Sequence, residues 1–124
     1  MTYNDGEMWK VIAIARLCHE ANREYCLSIG DDMQLAWEKS PVWQINSAIS
    51  MVLAIRENPD MTPEMSHASW LREKMNDGWS YGTVKSATLK THPCYVPYDE
   101  LAEDQKLKDE IFTTIAKLML RALN

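Results

Sequence analysis

The residues best equipped for chemistry collect in one stretch, positions 66–98, SHASWLREKMNDGWSYGTVKSATLKTHPCYVPY. It holds two of the five tryptophans, three of the five tyrosines and two of the three histidines. Four basic side chains (Arg72, Lys74, Lys85 and Lys90) stand against two acids there (Glu73 and Asp77), although the whole chain has a formal charge of −5. A basic, aromatic island in an acidic protein suits a flat anion, because ring faces attract rings and cations while ammonium groups attract charge.

Motifs for catalysis and metal binding fail on inspection. The run Cys18-His19-Glu20-Ala21-Asn22-Arg23 starts like the zinc-binding His-Glu-x-x-His, which places two imidazoles on one helical face. Arg23 stands where the second histidine belongs, and a protonated guanidinium ligates no metal. Cys18 and His19 are neighbours on a helix and do not face each other, so a thiol–imidazole pair is not formed there; Cys18 reads as a small core residue. His92-Pro93-Cys94 offers a further pair, with no spacing elsewhere to complete a four-ligand set. Phosphate-cradling glycine loops, Gly-x-Ser-x-Gly elbows and paired-carboxylate motifs are missing as well. The expectation is a protein without catalytic residues, cofactor or metal, whose work is recognition. A ring stacked on an aromatic gains roughly 1–3 kcal/mol, and Arg23, Lys74, Lys85 or Lys90 could meet phosphates through charge-assisted hydrogen bonds. The plainer alternative keeps Trp70 and Trp79 in the core and the lysines in water.

The elements that must position these groups are legible from periodicity and punctuation. With 124 residues, 46% hydrophobic and 25% charged, the chain has the size of one domain. Its apolar runs are too short for a membrane span of about 20 residues, and the first ten residues lack the marks of a secretory signal. Cys18 and Cys26 would lie about 12 Å apart along a helix, too far for a disulfide, so a reducing, cytoplasmic location is expected. The acidic balance argues against a nucleic-acid polymer as partner.

A first helix is expected over about 6–28, capped by Asn4 or Asp5 and striped by Met8, Val11, Ile12, Ala15, Cys18 and Asn22/Tyr25, with Gly30 as its stop. One or two helical turns should follow, presenting Leu35 and Trp37. Ser40-Pro41 predicts a cap followed by proline at the first helical position, and a helix to about 57 that buries Val42, Ile45, Ile49, Val52 and Leu53. Asn58-Pro59 ends it. Thr62-Pro63 starts a third helix, to about 77, with Gly78 as its stop. Positions 79–98 lose periodicity and read as a long ordered loop or a short β-hairpin. A last helix over about 103–122 carries Leu107, Ile111, Ile115, Leu118 and Ala122 on its apolar side, acids at its start and bases at its end.

A shift of 48 lays His19 on His67 and Gly30 on Gly78. Both glycines precede a tryptophan-bearing segment and then a helix with a glutamine in its first part, Gln44 or Gln105. Two identities alone do not separate a duplication from coincidence. The shared element order points to two pseudo-twofold halves, about 6–57 and 62–123, with a groove between them.

The second half carries a sharper signature. His67-x-x-Trp70-x-x-x-Lys74-x-x-x-Gly78-Trp79-x-Tyr81-Gly82, then Lys90-Thr91-His92-Pro93-Cys94-x-Val96-Pro97-Tyr98-x-x-Leu101, closely resembles the RyR domain, the repeat found in ryanodine receptors and in small bacterial and phage proteins. The match spans about 63–123, and the first half resembles the degenerate partner of small stand-alone members. Ala68 departs from the acid usual after His67, whereas Glu20 keeps it after His19. The resemblance implies one all-α domain of four to five helices and no known catalytic activity. It further implies adenine-nucleotide recognition near Trp70 and Lys74, and an association of prokaryotic members with nucleotide signalling and anti-phage defence. The expected ligand is therefore a nucleotide-derived molecule such as an adenine nucleotide, ADP-ribose or a cyclic relative. Trp70 would stack the base, alone or with Trp79 or Tyr81. Lys74, Arg23, His92 and Lys90 would neutralise phosphate, and His19, Glu20 and Asn22 would supply polar contacts. A protein-interaction module is the alternative, and eight methionines with Trp9 near the start leave room for a homodimer.

Overall fold

A computed structural model of the chain describes residues 5–123. Four helices, α1 (Asp5–Ser28), α2 (Val42–Glu57), α3 (Pro63–Asn76) and α4 (Glu103–Ala122), account for most of it. Single 3-10 turns, Trp37–Lys39 and Tyr98–Glu100, precede α2 and α4, and two-residue strands β1 (Ser80–Tyr81) and β2 (Thr91–His92) lie in the long loop. The fold is all-α, as expected, and among the described residues no helix is long and apolar enough to cross a membrane.

Local chemistry explains where the helices stop and start. Gly30 (φ 84°) and Gly78 (φ 85°) adopt the left-handed conformation that a glycine enters without a Cβ clash. Behind each, the same pair of hydrogen bonds closes the helix end: Asp31 N to Cys26 O at 2.8 Å with Gly30 N to Leu27 O at 3.1 Å, and Trp79 N to Lys74 O at 2.8 Å with Gly78 N to Met75 O at 3.0 Å. The Thr62 hydroxyl accepts from Met65 N at 3.1 Å, and Pro63 begins α3. The expected caps of α1 fall outside the described residues for Asn4 and for the side chain of Asp5.

Other expectations require correction. Pro41, not Ser40, is the cap residue of α2, and the Ser40 hydroxyl instead donates to Ala36 O at 3.0 Å. Residues 31–36 carry no regular secondary structure, and the one or two turns expected after Gly30 reduce to the single 3-10 turn Trp37–Lys39. The strand pair is parallel, Ser80 beside Thr91 and Tyr81 beside His92, so positions 79–98 are an ordered loop and not a hairpin. Thr91 also forms an antiparallel bridge with Ser86, which ties the loop together from its other edge.

The core gathers Val11, Ile14, Ala15 and Cys18 of α1 with Trp37, Met51, Val52, Ile55, Met61 and Ala116. Val42 and Ile12 are exposed instead of buried. On α4 the inner face runs through Phe112, Thr113, Ala116, Met119 and Leu120, while Leu107, Leu118 and Ala122 face water. Of the expected stripe Ile115 does pack on the core; apolar spacing passed over Thr113, which is buried yet satisfied within its own helix, its hydroxyl donating to Asp109 O at 2.9 Å.

The two halves repeat their contacts as well as their elements. His19 Nε2 lies 2.7 Å from Leu35 O and His67 Nε2 lies 2.6 Å from Val96 O. The His19 ring meets Trp37 edge-on at 5.5 Å, and His67 meets Tyr98 edge-on at 6.1 Å. The shift is 48 before the loop (19 to 67) and 61 after it (37 to 98). Cys18 and Ser66, equivalent under this shift, each reach the other half: Cys18 Sγ to Phe112 O at 3.6 Å, Ser66 Oγ to Met51 Sδ at 3.3 Å.

Candidate functional site

Between the halves lies a cavity of about 250 Å³. Equivalent positions supply its walls in pairs: His19 and His67, Asn22 and Trp70, Gln44 and Gln105, Ser47 and Lys108, Ala48 and Asp109, Met51 and Phe112. Gln34 and Trp43 add to the first half, and Lys85, His92 and Cys94 reach in from the loop. Gln44 and Gln105 sit in the first turns of α2 and α4, so the positive ends of two helix dipoles converge on the space.

Two indoles dominate the walls. Trp70 stacks on His67 (5.5 Å, 28°) and meets His92 edge-on at 5.1 Å. Trp43 leans on Trp79 at 5.2 Å, and the Lys74 ammonium lies 4.6 Å from its ring centre. His92 is held in place by its Nδ1, which accepts from Cys94 N at 3.0 Å.

The charges are unevenly divided. Lys85 and Lys108 bring cations and Asp109 the acid, all from the second half. Burial pushes the Asp109 carboxyl up to about 7, with Lys108 pulling it partly back. Burial, then the charges of Lys85 and Lys108, drives His92 down to about 4. His67 is lowered by burial as well, and its Nδ1 lies 3.5 Å from Asp109 Oδ2. Both shifts favour the uncharged imidazole in His67 and His92, and burial lowers the Lys85 ammonium as well. Burial raises the Cys94 thiol, which disfavours the thiolate a nucleophile needs. Among the described residues no group of three His, Cys, Asp or Glu side chains is placed to hold a metal ion.

Of the residues singled out from the sequence, His19, Asn22, Trp70, Lys85 and His92 stand at the cavity wall. Lys74 and Trp79 lie behind it, 2% and 8% exposed, and brace Trp43. Glu20 turns away to accept from Trp37 N at 3.0 Å and to pair with Arg23 at 3.7 Å. Tyr81 points to solvent. Lys90 donates to Asp77 O at 2.6 Å, closing the loop against the end of α3. Sequence reasoning missed Trp43, Ser47, Lys108 and Asp109 as wall residues. The signal was present in the matched glutamines: carrying Gln44 onto Gln105 and stepping one turn along each helix reaches Ser47 with Lys108 and Ala48 with Asp109.

Among known families, that of the RyR domain matches the chain. The model of the RyR domain covers residues 44–123 of the chain, from the first turn of α2 to the end of α4.

Proposed function

The chain belongs to the RyR domain family, and from that premise we propose that it binds a nucleotide-derived small molecule in the cavity between its halves, without turning it over. The observation that carries this reading is one space walled by two indoles, Trp43 and Trp70, and two ammonium groups, Lys85 and Lys108. Its volume is near the low end of small-molecule sites, roughly 300–1,000 Å³, which suits a base with its sugar and leaves phosphates to the lysines. Relative to the sequence reading, Lys85 keeps its phosphate role and Lys108 joins it, while Lys74, Arg23, Lys90 and the uncharged His92 give theirs up. The base role stays with Trp70 and gains Trp43. Sensing or sequestering a nucleotide signal, as in phage–host defence, is the physiological role that fits such a site.

Calorimetry with a panel of adenine nucleotides, ADP-ribose and cyclic nucleotides tests the proposal. Binding by at least one of them should fall tenfold or more in Trp70→Ala and in Lys108→Met, with no product formed on prolonged incubation. No heat with any of the panel, or undiminished affinity in both variants, would remove the reading.

A second reading rests on the loop surface, where Tyr81, Val84 and Leu89 are 57%, 68% and 74% exposed. Together with Trp9, 59% exposed, they suit a protein partner or a second copy of the chain. That reading predicts no thermal shift with nucleotides and a change in sedimentation, alone or with a partner, that is lost in Val84→Ser/Leu89→Ser.

A further inference from the structure

Helix α4 has two apolar faces. Phe112, Ala116, Met119 and Leu120 pack on the core. On the opposite side Leu107, Ile111, Thr114 and Leu118 recur at spacings of four, three and four, which keeps them on one face of the helix. Leu107 and Leu118 there are 41% and 53% exposed. Such alternation is the pattern by which one helix lies along another. Helix α1 runs antiparallel beside α4, tied to it by Cys18 to Phe112 O, Asn22 to Lys108 O and Tyr25 to Asp104 O. Its Lys10, Leu17 and Glu24, seven apart, form a line on the flank next to α4, where Lys10 Nζ donates to Leu123 O at 3.1 Å. Leu17, 44% exposed, thus extends the apolar middle across both helices.

The two ends of this face carry unlike charge. Glu24 and Glu110 stand at one end, Lys117 and Arg121 at the other, and none of the four forms an ion pair among the described residues. Other charges nearby are already engaged, Lys10 with Glu7 and Glu103 with Lys106. The midpoint between Glu110 and Lys117 is level with Leu17, because Cys18 Sγ lies 3.6 Å from Phe112 O. One level therefore centres the pattern on both helices. The 20 residues of α4 span 30 Å at the helical rise. A face two helices wide and of that length covers roughly 600 Å². Two such faces bury roughly 1,200 Å², the lower end of specific interfaces.

We propose that this face pairs with the same face of a second copy of the chain, about a twofold axis at the level of Leu17. The axis sets Leu17 against Leu17, Leu107 against Leu118 and Ile111 against Thr114. It also brings Glu110 of each copy beside Lys117 of the other, on the same flank of two antiparallel helices. The pattern is self-complementary, acid end on base end. A lipid surface, which favours a basic polar face, is disfavoured by the acidic end.

The test is sedimentation equilibrium of the full chain with charge-reversed variants. The parent should form a dimer whose dissociation constant rises with salt. Glu110→Lys and Lys117→Glu should each weaken it at least tenfold while keeping the parent's circular dichroism spectrum. Mixed in equal amounts, the two variants should pair again, because each supplies the charge that the other has lost. Leu17→Glu/Leu118→Glu should leave a monomer, and Leu118→Glu alone should weaken the dimer at least tenfold if the double variant is unstable. Trp70→Ala and Val84→Ser/Leu89→Ser should leave the dimer intact, which separates this face from the cavity and from the loop surface. A parent that stays monomeric at millimolar concentration would overturn the proposal. So would a mixture that pairs no better than its components, or a dimer lost in the loop variant.

Discussion

At the cavity wall two titrating groups oppose each other as pH changes. Asp109, raised from 3.8 to about 7 by burial, holds its proton more tightly folded than unfolded. Its penalty is absent below about pH 4, grows between pH 4 and 7, and is complete above pH 7. His92, lowered from 6.5 to about 4, works in the other direction, destabilising the fold as pH falls through that window. Between about pH 4 and 6.5 their pH slopes nearly cancel although both penalties persist, so the parent alone reveals neither, and a single variant does. Asp109→Asn should raise the melting temperature at pH 8 and leave it unchanged near pH 4. The gain is at most about 4 kcal/mol, reduced because the side chain is 24% exposed. A variant no more stable than the parent at pH 8 would mean that the carboxylate is solvated. The cysteines give a second residue-scale expectation. Cys18, fully buried with its thiol pushed up to about 12, should resist a thiol reagent until the chain unfolds. Cys94, only partly buried, should react first, and a cavity ligand should slow it. Labelling of Cys18 at the rate of Cys94 in the native protein would contradict this burial.

Among the elements, the long loop has the most exacting geometry. A Cβ placed on Gly82 would lie 2.6 Å from the Thr91 Cβ, too close for any side chain without separating β1 from β2. Those strands hold Trp79 and His92 against Trp43 and Trp70. Gly82→Ala should therefore cost about 1–3 kcal/mol in denaturant unfolding and weaken ligand binding, although residue 82 lies outside the cavity wall. Gly30→Ala has nothing within 4 Å to meet, so it should cost only the left-handed strain, about 1–2 kcal/mol. Helix limits were legible in the sequence where a glycine, an Asn-Pro or a Thr-Pro marks them. The parallel strand pair was not, because two residues have no detectable period and their partner lies across a loop. Half of the site was legible for the same reason. Trp70 and His92 belong to a recognisable motif, whereas Lys108 and Asp109 are polar residues of a helix read only for its apolar spacing.

For the whole molecule, α1 matters most, since it packs on α2 and α4 and so belongs to the cores of both halves. The halves should not unfold separately. Ile14→Ala, at a position 1% exposed, should lower stability by about 2–5 kcal/mol while circular dichroism and tryptophan fluorescence still report one midpoint. Separate midpoints would mean that each half folds alone. The repeat was only partly legible in the sequence, where two identities marked it. In the structure it extends to hydrogen bonds, ring contacts and two crossing contacts at equivalent positions, features that a linear comparison of residue types does not register.

The repeated backbone around the cavity carries unlike side chains, with Asn22, Ser47 and Ala48 from one half and Trp70, Lys108 and Asp109 from the other. Two interchangeable walls would accept a guest in two orientations of equal energy, related by a half-turn. Choosing between them would then be a matter of chance, with an entropy of RT ln 2, about 0.4 kcal/mol. Unlike walls remove that degeneracy. Under the proposed function, a molecule held there would have a head and a tail imposed by the protein, and a scaffold built by repetition would give its guest a single direction.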